Sequence, residues 1–251
     1  MTKLPEGSFI TEAFGAQILT EVGAPVGQFY GFETDGVFAT TEEAQQAALY
    51  VTDQTGARTY FKAGDMRFVD ANGDHEINDK DRRVIGNPNP DLYGNFSSRL
   101  VYRGIALDLM FTYSLGNDIY NYQRSILESG SRFYNQTTAM RGRWSTEGQH
   151  TCVPRITYQD PMGNARFSDR WIEDGSYLRL QNVRLSYKWD FDYRFLQGIT
   201  LWGSASNLFT LTRYLGSDPE STASNNVLLQ GIDCGYLPMS RQFSLGVKIN
   251  L

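Results

Sequence analysis

The sequence predicts an all-β protein with unusually long strands. Three observations support this fold class: apolar and polar residues alternate along several segments, aromatic residues make up 14% of the chain, and only one short stretch has the signals of a helix. The alternating segments run for about ten residues or more, a length that crosses a bilayer when the strand is tilted. Strands of soluble sandwiches are usually about five or six residues long, so the pattern favours a barrel.

Residues 1–90 are predicted to form a loop-rich first region. The segment VGAPVGQFYGFETDGVF (22–38) places glycines and a proline among aromatic residues, which indicates turns between short extended pieces. The segment TTEEAQQAALYV (40–51) predicts a short helix. Two threonines could cap this helix and two glutamates lie in its first turn: Thr40 or Thr41, and Glu42 and Glu43.

An acidic loop, FVDANGDHEINDKD (68–81), resembles a calcium-binding loop. Counted from Asp70, oxygen-bearing side chains recur with the spacing that a hard cation needs, and Glu76 would contribute its backbone carbonyl. The predicted Ca²⁺ ligands are Asp70, Asn72, Asp74, Glu76, Asn78 and Asp81. Two residues depart from the usual pattern. His75 stands where a glycine normally makes the sharp turn, so a calcium loop would require a strained or left-handed histidine. Asp81 has a shorter reach than the usual glutamate.

The same loop has a simpler interpretation that needs no ion. Asp, Asn and Gly favour turns because their side chains or backbone satisfy local hydrogen bonds. In both interpretations the loop acts as a clasp for the chain that enters the strand beginning at Leu92, and it carries no obvious chemistry. The sequence leaves both interpretations open.

Residues 91–251 are predicted to contain the long strands. In IALDLMFTYSLG (105–116) alternate side chains place one apolar set on a single face: Ile105, Leu107, Leu109, Phe111, Tyr113 and Leu115. The preceding segment alternates in the same way, and the connection Arg103-Gly104 is short enough for a tight hairpin. The segments GITLWGSASNLFTL (198–211) and SRQFSLGVKINL (240–251) repeat the pattern.

A further segment, SYLRLQNVRLSYKWDF (176–191), changes phase near its middle. Its first apolar residues, Leu178 and Leu180, are even-numbered, whereas the later ones are odd-numbered. A β-bulge at Gln181-Asn182 would return all of them to one face.

The connections between strands are very unequal in length. Long polar stretches at 117–175 and 212–239 contrast with the short hairpin connection, and we expect them to be outward-facing loops. Alternation of short turns with long loops is typical of outer-membrane barrels. No apolar run is long enough for a transmembrane helix.

Composition and motifs argue against several functions. The net charge of −5 and the scattered Lys and Arg residues argue against a nucleic-acid partner. No Walker loop, GxSxG, GxGxxG or HExxH motif occurs, so no enzyme is predicted. Asp218 and Glu220 could form a glycosidase pair, although a solvated Asp-Pro turn is the more common use of such residues. Cys152 and Cys234 lie far apart and have no CxxC spacing; the sequence leaves a single disulfide between them open but favours two separate thiols.

Five blocks follow one another along nearly the whole chain: VGAPVGQFYGFETDGVF, GDMRFVDANGDHEINDKDRRVIGNPNPDLYGNF, DGSYLRLQNVRLSY, SNLFTLTRYLGSDPE and LPMSRQFSLGVKINL. In this order they resemble the C-terminal part of the SusC/RagA family, the TonB-dependent outer-membrane transporters of Bacteroidetes. His75 departs from the family's acidic loop, in which glycine commonly occupies that position. The terminal Leu251 departs from the aromatic residue with which the family usually ends.

The resemblance implies a transmembrane β-barrel of about 22 strands, closed by an N-terminal plug. Such transporters import glycans or peptides across the outer membrane, take energy from TonB and work beneath a SusD-type lipoprotein. The plug, the TonB-binding segment and most strands would lie upstream of Met1. The resemblance therefore implies the C-terminal strands of such a barrel, a fragment that does not transport alone.

A function of another class fits the same residues. The chain could be a soluble extracellular all-β module that binds carbohydrate and uses the acidic loop with Ca²⁺ as a stabiliser. Strand length and the need for detergent distinguish this alternative from the barrel.

Overall fold

The computed structural model describes residues 7–193, 195–223 and 226–250. The contacts between residues divide the chain into two compact units. Unit 1 comprises Met1–Asn89, Asp118–Glu173 and Ser221–Tyr236. Unit 2 comprises Pro90–Asn117, Asp174–Glu220 and Leu237–Leu251. The long connections predicted between strands therefore give most of their residues to unit 1, whereas the division of the chain into domains at residue 90 stays a prediction.

Short strands alternate with turns in unit 1, and long strands make up unit 2. In chain order the elements are β1 (Ser8–Ala13), β2 (Ala16–Glu21), β3 (Gln28–Gly31), β4 (Thr34–Val37), α1 (Thr41–Ala47), β5 (Tyr50–Thr52), β6 (Arg58–Tyr60), β7 (Met66–Phe68), β8 (Arg83–Gly86), β9 (Leu92–Tyr102), β10 (Ile105–Leu115), β11 (Asp118–Asn121), α2 (Tyr122–Leu127), β12 (Ile172–Asp174), β13 (Tyr177–Tyr193), β14 (Leu196–Thr212), β15 (Ile232–Asp233) and β16 (Gln242–Asn250). Short 3₁₀ turns lie at Asp79–Asp81, Thr138–Gly142, Asp169–Trp171 and Val227–Leu229.

Unit 2 is one antiparallel sheet with the strand order β16-β14-β13-β10-β9. Its tightest connection is the predicted hairpin, in which Tyr102 of β9 pairs with Ile105 of β10. The two residues between them, Arg103 and Gly104, have positive φ angles of 47° and 86°. A two-residue turn of this hand matches the twist of the strands that it joins. The predicted hairpin is confirmed.

Strand β13 contains the predicted bulge. Leu180 pairs with Phe111 of β10 and Asn182 pairs with Met110, so Gln181 is the extra residue. One extra residue changes which face each later side chain occupies. The bulge therefore returns the odd-numbered apolar residues of β13 to the face that carries those of β10, as the phase change predicts.

Unit 1 packs several small sheets around aromatic side chains. Its sheets have the orders β1-β2-β3-β8 and β12-β11-β15, and the strands β4-β7 and β5-β6 form separate pairs. One core cluster contains Phe32, Val37, Phe38, Ala44, Leu49, Phe61, Met66, Phe68, Ile77 and Met162. The other contains Ala16, Ile18, Phe29, Tyr120, Phe167, Trp171 and Ile232. Phe29 lies fully buried in this second cluster.

Helix α1 begins as predicted but ends early. The Thr40 hydroxyl accepts a hydrogen bond from the backbone N–H of Glu43 at 3.2 Å, so Thr40 is the N-cap. The helix ends at Ala47 rather than near residue 51, because Ala48 adopts a left-handed conformation with φ 52° and Tyr50 already belongs to β5. No helix among the described residues is long and apolar enough to cross a membrane.

Candidate functional site

The sheet of unit 2 presents one continuous apolar face. Its register places Leu107 of β10 between Leu100 of β9 and Leu185 of β13. Phe111 lies opposite Phe96, and their rings stack with centroids 4.8 Å apart. This apolar face consists of Leu92, Phe96, Leu100, Tyr102, Ile105, Leu107, Leu109, Phe111, Tyr113, Leu115, Leu178, Leu180, Val183, Leu185, Tyr187, Trp189, Ile199, Leu201, Ala205, Phe209, Leu211, Phe243, Leu245, Val247 and Ile249.

Much of this apolar face is uncovered. Leu245 is 90% exposed, Phe243 is 73% exposed and Leu211 is 60% exposed. Monomeric soluble proteins seldom expose a contiguous apolar patch larger than a few hundred Å². A surface of aliphatic and aromatic side chains across five adjacent strands is instead what contact with hydrocarbon requires.

The opposite face of the sheet is mostly polar and charged. Arg99 of β9 lies opposite Asp108 of β10, with 3.4 Å between Nε and Oδ1. The guanidinium of Arg184 lies 4.5 Å from the centre of the Trp202 ring. One apolar and one polar face on the same strands are compatible with the outer and inner surfaces of a barrel wall.

A strand arginine on this polar face organises an ion-pair network. Arg179 of β13 is buried, and it donates hydrogen bonds from Nη2 to Asp218 Oδ1 at 2.5 Å and from Nη1 to Glu220 Oε2 at 2.6 Å. Its Nε donates to Thr210 Oγ1 of β14 at 2.9 Å. The Tyr177 hydroxyl donates to the other carboxylate oxygen of Glu220. The network fixes the Asp-Pro-Glu segment onto two neighbouring strands.

This network supports neither of the two uses considered for Asp218 and Glu220. Asp218 is 5% exposed, so the solvated turn is wrong for this residue. A glycosidase needs one carboxyl group that gives a proton and one that faces the sugar or a water. Here both carboxylates bind a single guanidinium, which suits a structural role.

The acidic loop is held by its own hydrogen bonds. Asp70 accepts from the backbone N–H groups of Gly73 and His75, each at 2.7 Å, and Asp74 accepts from that of Glu76 at 2.9 Å. Desolvation by burial acts against ionisation of Asp70, but its backbone hydrogen bonds together hold the pKa of this carboxyl below its ordinary value of 3.8. His75 has φ 62°, a left-handed conformation, which is one of the two that a calcium loop would require at this position.

The end of the acidic loop is anchored in unit 1. Asp81 is buried and accepts hydrogen bonds from the backbone N–H groups of Ala71 at 2.9 Å and Asn78 at 2.8 Å. Ile77 lies in the first aromatic cluster, and its N–H donates to the carbonyl of Tyr50 at 2.9 Å. These contacts give the loop the form of a clasp.

The acidic side chains alone do not form a metal site. Within the described part of the chain, no three His, Cys, Asp or Glu side chains are placed so that they could hold a metal ion. The predicted calcium set therefore depends on the side-chain amide oxygens of Asn72 and Asn78 and on the carbonyl oxygen of Glu76. Calcium binding stays a prediction.

Sequence reasoning missed the ion pairs of the buried residues Asp65 and Arg179. Asp65 is fully buried and accepts hydrogen bonds from Arg155 Nε at 2.8 Å and Nη2 at 3.0 Å, and from Asn164 Nδ2 at 2.9 Å. These partners lie far along the chain, and no local pattern connects them. The sequence contained one indication of the ion pairs of Arg179. This arginine lies between two leucines on a predicted strand, and a buried arginine needs a negatively charged partner.

The fold and the apolar face define a segment of a strand-rich, membrane-type protein, and comparisons with known proteins agree. No protein-family model matches the chain. TonB-dependent receptor P3 of Formosa agariphila is 34% identical over 99% of this chain and 25% of the receptor. TonB-dependent receptor SusC of Bacteroides thetaiotaomicron is 24% identical over 72% of this chain and 17% of SusC. The resemblance read from the sequence is confirmed: the chain is similar to a segment of TonB-dependent receptors, SusC among them.

Solved structures show the same fold. The RagAB peptide importer in its closed-closed state superposes with a TM-score of 0.69 at 22% identity, over 96% of this chain and 24% of the importer chain. Its open-open state gives a TM-score of 0.68 at 23% identity, over 100% of this chain and 25% of that chain. The predicted all-β fold class is thereby confirmed. The chain spans about a quarter of the length of TonB-dependent receptor P3.

Proposed function

We propose that this chain forms the C-terminal strands of a TonB-dependent nutrient importer in the outer membrane. The observation that carries the proposal is the continuous apolar face, whose exposed side chains suit contact with lipid. The polar face would then line the interior of the barrel. The similarity to TonB-dependent receptors along nearly the whole chain supports the same assignment.

The chain would act only as part of a longer protein. Strands β9 and β16 form the two edges of the sheet, and their outward backbone groups would lack partners in lipid. Further strands must therefore pair with these edges before the sheet can stay in a bilayer. A barrel of about 22 strands would supply them. The chain matches only 25% of the length of TonB-dependent receptor P3, so a full-length receptor of that size has enough further residues for such strands and for a plug.

The partners follow from the relatives. SusC and the RagAB peptide importer are among the proteins that the chain resembles. We propose that the full-length receptor works with a SusD-like lipoprotein, takes energy from TonB and carries an oligosaccharide or a peptide. Its role would be transport without catalysis, in keeping with relatives that are named as receptors and importers.

Cell fractionation tests this proposal. An antibody raised against this chain should detect an outer-membrane band several times heavier than 28.4 kDa. Extraction of that band should require detergent. A water-soluble band near 28.4 kDa would overturn the proposal in favour of a soluble carbohydrate-binding module.

We also propose that the acidic loop is primarily a clasp and that Ca²⁺ reinforces it. The ion would use the oxygen lone pairs that the loop's own hydrogen bonds leave open. Thermal unfolding of the full-length receptor should shift upward with Ca²⁺ relative to EDTA, and Asp74→Ala should remove the shift. An identical unfolding temperature in Ca²⁺ and EDTA would contradict the proposal that the loop binds Ca²⁺.

A further inference from the structure

A cleft in unit 1 is lined by aromatic rings and arginines. It has a volume of about 890 Å³ and lies between the β1–β2 turn, helix α2 and the segments 129–134 and 165–167. Among the described residues that line it, none is Asp or Glu. The whole chain carries a net charge of −5, whereas the described residues that line the cleft include two arginines and no acidic residue. The cleft lining is therefore more positively charged than the chain as a whole.

The aromatic side of the cleft is continuous. The Tyr120 ring lies 4.8 Å from the Phe167 ring and 6.1 Å from the Tyr122 ring, and Tyr122 lies 5.3 Å from Phe14. The Tyr120 hydroxyl donates to the carbonyl of Phe14 at 3.1 Å. Burial raises the pKa of Tyr120 to about 12, so this hydroxyl stays neutral at physiological pH. Phe14 is exposed and Tyr122 is half-buried, so ring surface is available to a ligand.

The two arginines of the cleft differ in how they are held. Arg166 donates from Nε to the carbonyl of Gly163 at 2.9 Å and from Nη2 to that of Met162 at 2.7 Å. Burial lowers the pKa of Arg166 to about 10, which still leaves it charged at neutral pH. Arg132 is exposed and makes no hydrogen bond or ion pair with the described part of the chain. The Arg166 guanidinium also stacks over the Phe32 and Phe68 rings, at 4.9 and 4.6 Å from their centres, so Arg132 is the arginine that is open to a ligand.

We propose that this cleft binds a carboxylate-bearing oligosaccharide, an inference that rests on the import function proposed above. A guanidinium pairs with a carboxylate through two parallel hydrogen bonds. Aromatic rings pack against the apolar faces of sugar rings, and the hydroxyls of Ser129 and Ser131, which also line the cleft, can bond to sugar hydroxyls. A peptide is commonly recognised along an open strand edge, whereas this cleft is formed mainly by a turn, a helix and loops.

Titration calorimetry on the full-length receptor in detergent tests the inference. The probes are trigalacturonate, neutral maltotriose and triglutamate. Arg132→Gln should weaken trigalacturonate binding about tenfold, as loss of a charged hydrogen-bonding partner does, and Arg132→Lys should weaken it less. Arg141→Gln removes an exposed arginine of the same unit outside the cleft and should leave Kd unchanged.

Three results would overturn the inference: no binding of trigalacturonate, equal affinity for maltotriose, or equal Kd for the Arg132→Gln and Arg141→Gln variants. Triglutamate binding that is tighter than trigalacturonate binding and depends on Arg132 would assign the cleft to an acidic peptide instead. Fractionation separates this inference from the proposed function. If the receptor resides in the outer membrane but fails these titrations, the proposed ligand of the cleft is wrong and the proposed import function still stands.

Discussion

Units 1 and 2 use similar apolar side chains in opposite ways. In unit 1 the large aromatic residues turn inward, and Phe29, Phe38 and Trp171 are fully buried. In unit 2 comparable side chains such as Phe243 and Leu245 point away from the sheet and remain exposed. Charged side chains are buried in both units: Asp65 in unit 1, and Arg179 on the polar face of the sheet of unit 2.

This difference in the exposure of apolar side chains is what we expect if unit 1 lies in water and unit 2 lies in a bilayer. Water drives apolar side chains into a core because their burial removes apolar surface from solvent. Hydrocarbon exerts no such force, so a membrane-spanning sheet leaves its apolar face outward and satisfies its charges on the other side. Unit 1 therefore has the architecture expected in water, and unit 2 has that expected in a bilayer. Substitutions in the two units should differ accordingly.

The largest effect is expected in the core of unit 1. Phe29→Ala should destabilise this unit by about 3–5 kcal/mol, because it removes a fully buried ring between Tyr120 and Phe167. Resistance of unit 1 to protease across a urea titration of the full-length receptor measures the change. Phe133→Ala, at a residue that is 92% exposed, is the control and should leave the midpoint nearly unchanged. Equal midpoints for both variants would show that Phe29 does not contribute to a core.

The next effect is expected at the ion-pair network of unit 2. Arg179→Gln should cost about 3 kcal/mol, because it leaves the buried carboxylate of Asp218 without its charged partner. Denaturant unfolding of the receptor reports the loss. Arg184→Gln, on the same strand and face, should cost much less. The double variant Arg179→Gln/Asp218→Asn should recover part of the loss, and a double variant as unstable as the sum of the two single ones would contradict the coupling.

A charge on the apolar face should have a depth-dependent cost. Leu109→Arg, near the middle of β10, should destabilise the folded receptor by about 2–4 kcal/mol in a bilayer. The neighbouring Met110→Arg places the same charge on the polar face and should be tolerated. The folded fraction in outer membranes, read from heat-dependent mobility on gels, compares them. Equal folding of both variants would mean that the apolar face does not contact lipid.

The smallest effect is a pH dependence at the acidic loop. The pKa of Asp70 in the folded chain lies below 3.8, so the stability that its carboxylate adds is fully present above that value and is lost as the pH falls through the folded pKa. In EDTA, Asp70→Asn should lower the unfolding temperature at pH 7. The gap to wild type should narrow at pH values below 3.8. A gap that is independent of pH would contradict the role of the ionised carboxyl.

The sequence predicted the features that depend on local pattern. Two-residue alternation located the strands of unit 2, and the phase change at Leu180 located the bulge, because side-chain direction in a strand follows residue number. The hairpin at Arg103-Gly104 and the cap at Thr40 also depend on adjacent residues alone. These features required no knowledge of distant contacts.

The missed features all depend on residues that are far apart in the chain. Helix α1 ends early because Tyr50 pairs with the acidic loop, through its N–H to the carbonyl of His75 at 3.0 Å. The connection 117–175 looked like a loop, yet it supplies Trp171 to a core of unit 1. Arg179 pairs with carboxylates that lie roughly forty residues away in the chain, and the residues next to it do not indicate which acidic residues these are.

The lipid contact of the apolar face can be measured directly with spin labels along β10. With Cys152 and Cys234 replaced by serine, single cysteines at 107 to 111 in the full-length receptor would be labelled in liposomes. Labels at Leu107, Leu109 and Phe111 should collide with oxygen dissolved in the lipid, and those at Asp108 and Met110 with a water-soluble nickel complex. This alternation is the expected result. Odd-numbered positions that are open to the nickel complex would contradict the account.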